Sequence, residues 1–304
     1  MQLRPRFRSL SFLFPCLFLI ARCGPAGDVP CVWTDVERVV AIGDIHGDYH
    51  QLVRALQLGQ VIDAQNQWIG GRTHLVHTGD VLDRGPDSRK AMDLLISLEE
   101  QALKAGGRVH ALIGNHEAMI LQKDYRYVHP GEVQSHGGQE EFERALSPGG
   151  AYGRWICGHN AVIRLNDVLF VHGGLPLDAP PLPLETINAA IRAELAGRAS
   201  PAMSVNREGA LWTRSLARCD PDDLEEKLES ALRFHGARAV VAGHTVFKDG
   251  IQVRCGGRVI LIDVGMSSCY GGPVACLVIE KDRFFARYPG STKALSVPAH
   301  TATP

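Results

Sequence analysis

The sequence predicts an α/β fold with mixed sheets, and three observations carry that reading. Apolar, β-branched runs recur along the chain, several rich in Val and Ile on both parities, as strands covered on both faces require. Amphipathic stretches alternate with them in the first third. Five runs end in glycine beside Asp, His or Asn: Gly43–Gly47 (GDIHG), Gly79–Gly85 (GDVLDRG), Gly114–Glu117 (GNHE), Val171–Gly174 (VHGG) and Ala242–Thr245 (AGHT). Polar side chains at the carboxyl ends of strands face the crevice where α/β sheets bind their ligands.

In chain order, strands are expected at Arg38–Ile42, Thr73–Thr78, Arg108–Ile113, Ala161–Leu165, Val168–His172, Ala239–Ala242, Val259–Val264 and Val274–Ile279. Between the first of these lie helices at Tyr49–Leu58 and Arg89–Ala105, the second stopped by Gly106-Gly107. Asn166-Asp167 joins two adjacent runs as a hairpin, which mixes antiparallel pairing into the sheet. Pro221–Phe234 reads as a helix with Asp220 as N-cap, Pro221 at its first position, Asp222 and Asp223 in the first turn, and Gly236 at its close. Tyr125–Gly153 and Leu175–Pro183 read as irregular loops behind two of the motifs, and Met266–Gly272 as a turn; these three form the expected pocket walls. Ser291–Pro304 reads as a mobile tail.

Composition places the chain among globular proteins: 304 residues, 45% hydrophobic and 21% charged. Residues 1–27 hold four arginines and no acid, so with −1 overall the remainder carries −5. That body lacks the basic footprint of a nucleic-acid binder. Arg4, Arg6 and Arg8 precede the apolar stretch Leu10–Ile20, and Gly24 and Ala26 fit a cut before Gly27, so residues 1–26 read as an export signal and 36–290 as one catalytic domain. The expected location is periplasmic or secreted, with no stable membrane span after cleavage. An uncleaved anchor, a lipoprotein at Cys23 or an organellar transit peptide are the alternatives. Six cysteines follow the leader without a CxxC pair, which permits disulfides but argues against a zinc knuckle.

The motif residues suit metal chemistry. Asp44 and His46 stand two apart at one strand end, Asp80 ends the next, and a carboxylate can bridge two cations. Asn115, His172 and His244 add a carbonyl oxygen and two imidazoles. Mixed nitrogen and oxygen donors suit Mn, Fe or Zn better than Ca or Mg. Two such ions generate hydroxide from water and clamp an in-line phosphoryl displacement. His116 is placed as general acid, with Asp83 on its other nitrogen. Arg84 and Arg214 are the candidate phosphate clamp. Of the other histidines, His74, His77 and His110 lie within strand-like runs and read as core or sheet-face residues, and His129, His136 and His159 lie in the irregular insert. Tyr270 is as fit for the core as for the site.

In their order, GDIHG, GDVLDRG, GNHE, HGG and GH resemble the phosphoprotein phosphatase branch of the calcineurin-like metallophosphoesterases, from about Val39 to Gly265. The resemblance implies an αββα sandwich of two mixed β-sheets flanked by helices. It implies one metal on Asp44, His46 and Asp80, and a second on Asp80, Asn115, His172 and His244. It further implies His116 with Asp83 as the acid pair, Arg84 on phosphate, and a phosphorylated protein or peptide as substrate. Ile113 stands where the eukaryotic Ser/Thr enzymes have Arg, Leu211-Trp212-Thr213-Arg214 replaces their tryptophan-serine-aspartate segment, and their SAPNYC signature is absent. These departures are similar to the bacterial-like Shewanella-like phosphatases, a subgroup that includes tyrosine-directed members. The alternatives are a phosphoanhydride hydrolase acting on dinucleoside tetraphosphate or polyphosphate, and an inactive binding protein on the same fold. A Gln that usually marks the tetraphosphatases is replaced here by His46.

Overall fold

A computed structural model describes residues 29–218 and 221–299. The leader, Cys219 and the Asp220 cap lie outside the described residues, as do the side chains of Pro221, Asp222 and Asp223. Two six-stranded sheets face each other. The first holds β1 (Val32–Trp33), β5 (Val162–Leu165), β6 (Val168–Val171), β7 (Ala239–Ala242), β9 (Val259–Leu261) and β8 (Gln252–Arg254), in that spatial order. The second runs β12 (Ser291–Leu295), β11 (Arg283–Tyr288), β10 (Cys276–Glu280), β2 (Arg38–Ile42), β3 (His74–His77) and β4 (Arg108–Ala111). Each mixes parallel and antiparallel pairs, and β5 and β6 form the expected hairpin.

Helices α1 (Tyr49–Leu58) and α2 (Ser88–Lys104) cover the second sheet, and α7 (Leu184–Leu195) packs against β5 of the first. Asp48 caps α1 by accepting the Gln51 amide at 3.1 Å. The short helix α3 (Asn115–Leu121) follows β4, while α8 (Ser215–Arg218) and α9 (Pro221–Phe234) precede β7. Val40, Ile42, Leu75, Phe170 and Val241 are fully buried between the layers. Among the described residues no helix is long and apolar enough to cross a membrane.

Register levels the strand ends. Ile42 stands opposite His77 and His77 opposite Ala111; in the other sheet Val171 stands opposite Ala242 and Ala242 opposite Leu261. Every motif therefore leaves its sheet at one height, on the carboxyl edge.

Two expectations fail. Ser291–Leu295 is no tail: it pairs antiparallel with β11 as an edge strand, because Pro289-Gly290 turns the chain back on itself. Tyr125–Gly153 is no irregular loop either. It folds into α4 (Pro130–Ser135), α5 (Gln139–Leu146) and α6 (Ala151–Cys157), anchored by the buried Phe142, Leu146 and Ile156.

Candidate metal centre

Asp80 is the hub of the site. It is 1% exposed, and its Oδ1 accepts the His116 amide at 3.0 Å. Its Oδ2 stays open to three imidazoles: Nε2 of His172 at 3.4 Å, of His46 at 3.6 Å and of His116 at 3.9 Å. Two groups of donor atoms share it. His46, Asp80 and His116 form one and Asp80, His172 and His244 the other, each with its donor atoms within 4.8 Å.

Local backbone explains how loops reach so close. His46, Asp80, Asp83, Arg84 and His244 all have left-handed φ, between 42° and 69°, although none is glycine. Such conformations cost about 1–3 kcal/mol each and persist where the surroundings enforce them. Here Glu117 enforces one turn: its buried carboxylate accepts the amides of Gly114, Asp80, Val81 and Leu82 at 2.7–3.2 Å. The Asp80 carbonyl accepts the amides of Ile45 and His46, which ties GDIHG to GDVLDRG. Gly114 has to be glycine, since a Cβ there would sit 2.2 Å from Asp80 Oδ1.

Outer hydrogen bonds aim each ring. His46 Nδ1–H donates to the Leu82 carbonyl at 3.1 Å, so its Nε2 lone pair faces inward. His172 donates from Nδ1 to the Thr78 carbonyl at 2.9 Å, and His244 from Nε2 to the Trp212 carbonyl at 3.0 Å. Their inward nitrogens lie 3.1 Å apart, and Asn115 Oδ1 is 2.9 Å from His172 Nε2. Such partners fix tautomer and orientation in metal-ligating histidines. Asp44, 2% exposed, turns both oxygens to the His244 amide at 3.2 and 3.1 Å, so it lines the centre without joining either close trio.

Electrostatics favour the neutral form in two of these three rings, whereas His172, although burial opposes its charge, is raised above the ordinary imidazole value by Asp80 and Glu117. Burial pushes His46 down to about 4 and His244 to about 2, so both rings are neutral donors at neutral pH. Burial opposes the charge of Asp80, but His172 and His116 hold it well below the usual carboxylate range. Burial, with the charges of Asp263 and Asp80, pushes Asp44 well above that range, and burial takes Asp263 to about 6. Buried carboxylates facing inward lone pairs make a cation-binding environment with mixed oxygen and nitrogen donors, and these residues fit a metal pair.

His116 has a second partner. Its Nδ1 lies 2.6 Å from Asp83 Oδ2, and although burial opposes its charge, Asp80 and Asp83 raise it above the ordinary imidazole value. Arg84 sits at the mouth with its guanidinium carbon 4.7 Å from the Tyr127 ring centre and 5.4 Å from that of Tyr270. Its Nε is buried without a partner. Arg214 is tied by Nη1 to the His244 carbonyl at 2.6 Å and Thr245 Oγ1 at 2.9 Å.

All the motif residues therefore meet in one place, Glu117 of GNHE as the anchor of the turn, and Tyr270 takes the site rather than the core; Tyr127 and Asp263, which the sequence did not single out, join them. Tyr270 turns toward the site, its ring centre 5.6 Å from that of His46, and Tyr127 lies 5.2 Å from His116. Of the remaining histidines, His74 and His110 contact each other at 3.1 Å with His110 against Trp33, and His129 caps α4.

The calcineurin-like phosphoesterase family matches residues 37–247. An uncharacterised protein of Schizosaccharomyces pombe is 35% identical over 259 residues, covering 80% of this chain and 77% of its own length. Shewanella-like protein phosphatase 2 of Arabidopsis thaliana is 30% identical over 305 residues, covering 81% of this chain and 76% of its own. Among solved structures, the cold-active protein-tyrosine phosphatase of a psychrophilic Shewanella species aligns with a TM-score of 0.77 at 27% identity, over 88% of this chain and 83% of that one. Sequence, fold and site agree that the chain is a calcineurin-like phosphoesterase and belongs, within that family, to the Shewanella-like protein phosphatases.

Proposed function

We propose that this metal-dependent phosphatase hydrolyses phosphotyrosine in proteins or peptides in preference to phosphoserine, without a covalent phosphoenzyme. The convergence of donors from both sheets on the single carboxylate of Asp80 carries the reading. Asp44, His46 and Asp80 would hold one ion, and Asp80, Asn115, His172 and His244 the other, with Mn, Fe or Zn the fitting elements. Bound there, the pair supplies an activated water and draws charge from the phosphate oxygens.

The protein's own groups do the rest. Arg84, flanked by two tyrosine rings, and Arg214, fixed against the His244 loop, orient the phosphate with the Asn115 amide. His116 holds a proton for the departing oxygen, and Asp83 keeps its ring turned and charged. Tyr127 and Tyr270 at the mouth favour a flat aryl ester, and the relative described as a protein-tyrosine phosphatase supports that preference. Export through residues 1–26 completes the proposal.

The test is kcat/KM on matched phosphotyrosine and phosphoserine peptides, polyphosphate and a dinucleoside tetraphosphate, each with Mn, Fe and Zn. Phosphotyrosine should lead. A tenfold advantage for polyphosphate, about 1.4 kcal/mol of transition-state binding, would reject the reading in favour of phosphoanhydride hydrolysis.

A further inference from the structure

Below the catalytic turn lies a carboxyl group with no assigned task. Glu132, on α4, is completely buried, and neither of its oxygens closes a hydrogen bond. Ser88 Oγ and Asp83 Oδ1 are likewise buried without partners. These groups face one another: the Ser88 hydroxyl and the Asp83 amide favour the Glu132 carboxylate, while the Asp83 charge opposes it. Burial is the larger influence and takes Glu132 up to about 8, so it is mostly neutral at neutral pH.

The surrounding contacts converge on the same turn. Asp83 and Arg84 are consecutive non-glycine residues in left-handed backbone, with φ of 69° and 67°. A pair of such residues needs external support. The Tyr127–Ser135 segment supplies it along its length. The Tyr127 carbonyl accepts the Arg84 amide at 2.9 Å, and the Ser135 carbonyl accepts Arg89 Nη1. Gly131 packs so closely on Pro86 that a Cβ would come within 2.9 Å of it. Glu132 sits in the middle of this span.

We infer that Glu132 is a positioning residue whose buried carboxyl braces the strained Asp83–Arg84 turn, aiming Asp83 at His116 and Arg84 at the phosphate. The inference rests on the roles proposed above for those three side chains. It gives the helical segment after GNHE a task in catalysis beyond forming a pocket wall. Removing the carboxyl would let the turn relax, lengthening the 2.6 Å contact between Asp83 and His116.

The experiment compares the full-length protein with Glu132→Ala and Glu132→Gln. Two quantities are read: kcat and KM on aryl and alkyl phosphates, and the downfield Nδ1–H proton resonance of His116 without substrate. Glu132→Ala should lower kcat roughly tenfold on the alkyl ester, a part of the 10²–10⁴-fold that general acids contribute, and raise KM on both esters as Arg84 loses its aim. It should also shift or abolish the resonance. Glu132→Gln, isosteric and neutral, should retain both. Wild-type kcat with an unmoved resonance in Glu132→Ala would overturn the inference, as would equal damage from Gln and Ala. If the Ala protein does not fold, Glu132→Asp, one methylene shorter, takes its place with the same expected loss, and wild-type behaviour there is the overturning result. Because the resonance belongs to the resting protein, it tests the brace even if the substrate assignment fails.

Discussion

Asp83 and His116 form the shortest contact between side chains at the site, 2.6 Å, and it separates an acid from a ligand. With Nδ1 committed to Asp83, the ring has only Nε2 left, 3.9 Å from Asp80 Oδ2. His116→Ala should therefore retain most of its metal, measured by elemental analysis, yet lose about 10²–10⁴-fold in kcat on alkyl phosphates. The loss should be smaller on p-nitrophenyl phosphate, whose leaving group needs less help. Equal losses on both would mean that His116 binds metal or phosphate instead. Asp83→Asn should give a milder version. At this scale the sequence was legible wherever a polar residue interrupts an apolar run, as at Asp44, Asp80 and His244. It was silent on Glu132, which stands between glycine, valine and glutamine like any solvated helix residue. Nothing local marks that side chain as buried; only the packing of remote segments makes it so.

Whole elements succeeded or failed in the sequence for a related reason. The central strands β2, β3, β6 and β7 are covered on both faces, so their composition announced them. The edge pair β11 and β12 carries alternating or polar residues such as Arg283, Arg287, Thr292 and Lys293, and the β10–β11 turn is Lys281-Asp282, both left-handed, instead of an Asn-Gly signal. Helices α4 to α6 were hidden by their shortness and by Gly137-Gly138 and Pro148-Gly149-Gly150 between them. Helix α7 shows what an element missed by pattern can still do. Its buried Glu194 accepts the amides of Ala202, Met203 and Ser204 and the Ser204 hydroxyl, and the Ser204 carbonyl accepts Trp212 Nε1–H. Trp212 in turn holds His244 through its carbonyl. Burial opposes the Glu194 charge, but the Ser204 hydroxyl and the three amides outweigh it and lower its pKa below the usual range. A depressed folded value means stability that is full above the unfolded pKa, about 4.3, and that disappears as pH falls through the folded one. Glu194→Gln should thus lower Tm at neutral pH, by a deficit of about 1–3 kcal/mol for donors left unpaired, and the gap to wild type should close in acid. A gap that is constant from neutral pH to below pH 4 would mean that the carboxylate charge contributes nothing.

Over the whole molecule, the metal centre is also a joint between the two sheets. Asp44, Asp80 and Asn115 follow β2, β3 and β4, whereas His172 and His244 follow β6 and β7, and level registers bring both groups to one edge. Without a cation, Asp44, Asp80, Glu117 and Asp263 are buried near one another, and their mutual repulsion is part of what raises Asp44 and Asp263. The proposed pair of metal ions would relieve that repulsion and tie the sheets together only in the folded state. Ligand at a thousandfold excess over its Kd stabilises by about 4 kcal/mol, which at 2–4 °C per kcal/mol is a Tm shift of roughly 8–16 °C. Chelation of the loaded protein should therefore lower Tm by that order, with both sheets unfolding in one transition. Asp80→Asn should erase the difference between loaded and chelated samples, because it weakens both positions at once. Arg84→Ala should preserve the difference while impairing turnover, since its guanidinium lies over the Tyr127 and Tyr270 rings and it is not one of the donor groups of the centre. Metal-stripped protein that melts where the loaded protein does would show that the sheets hold together without the ions, and that the centre serves chemistry alone.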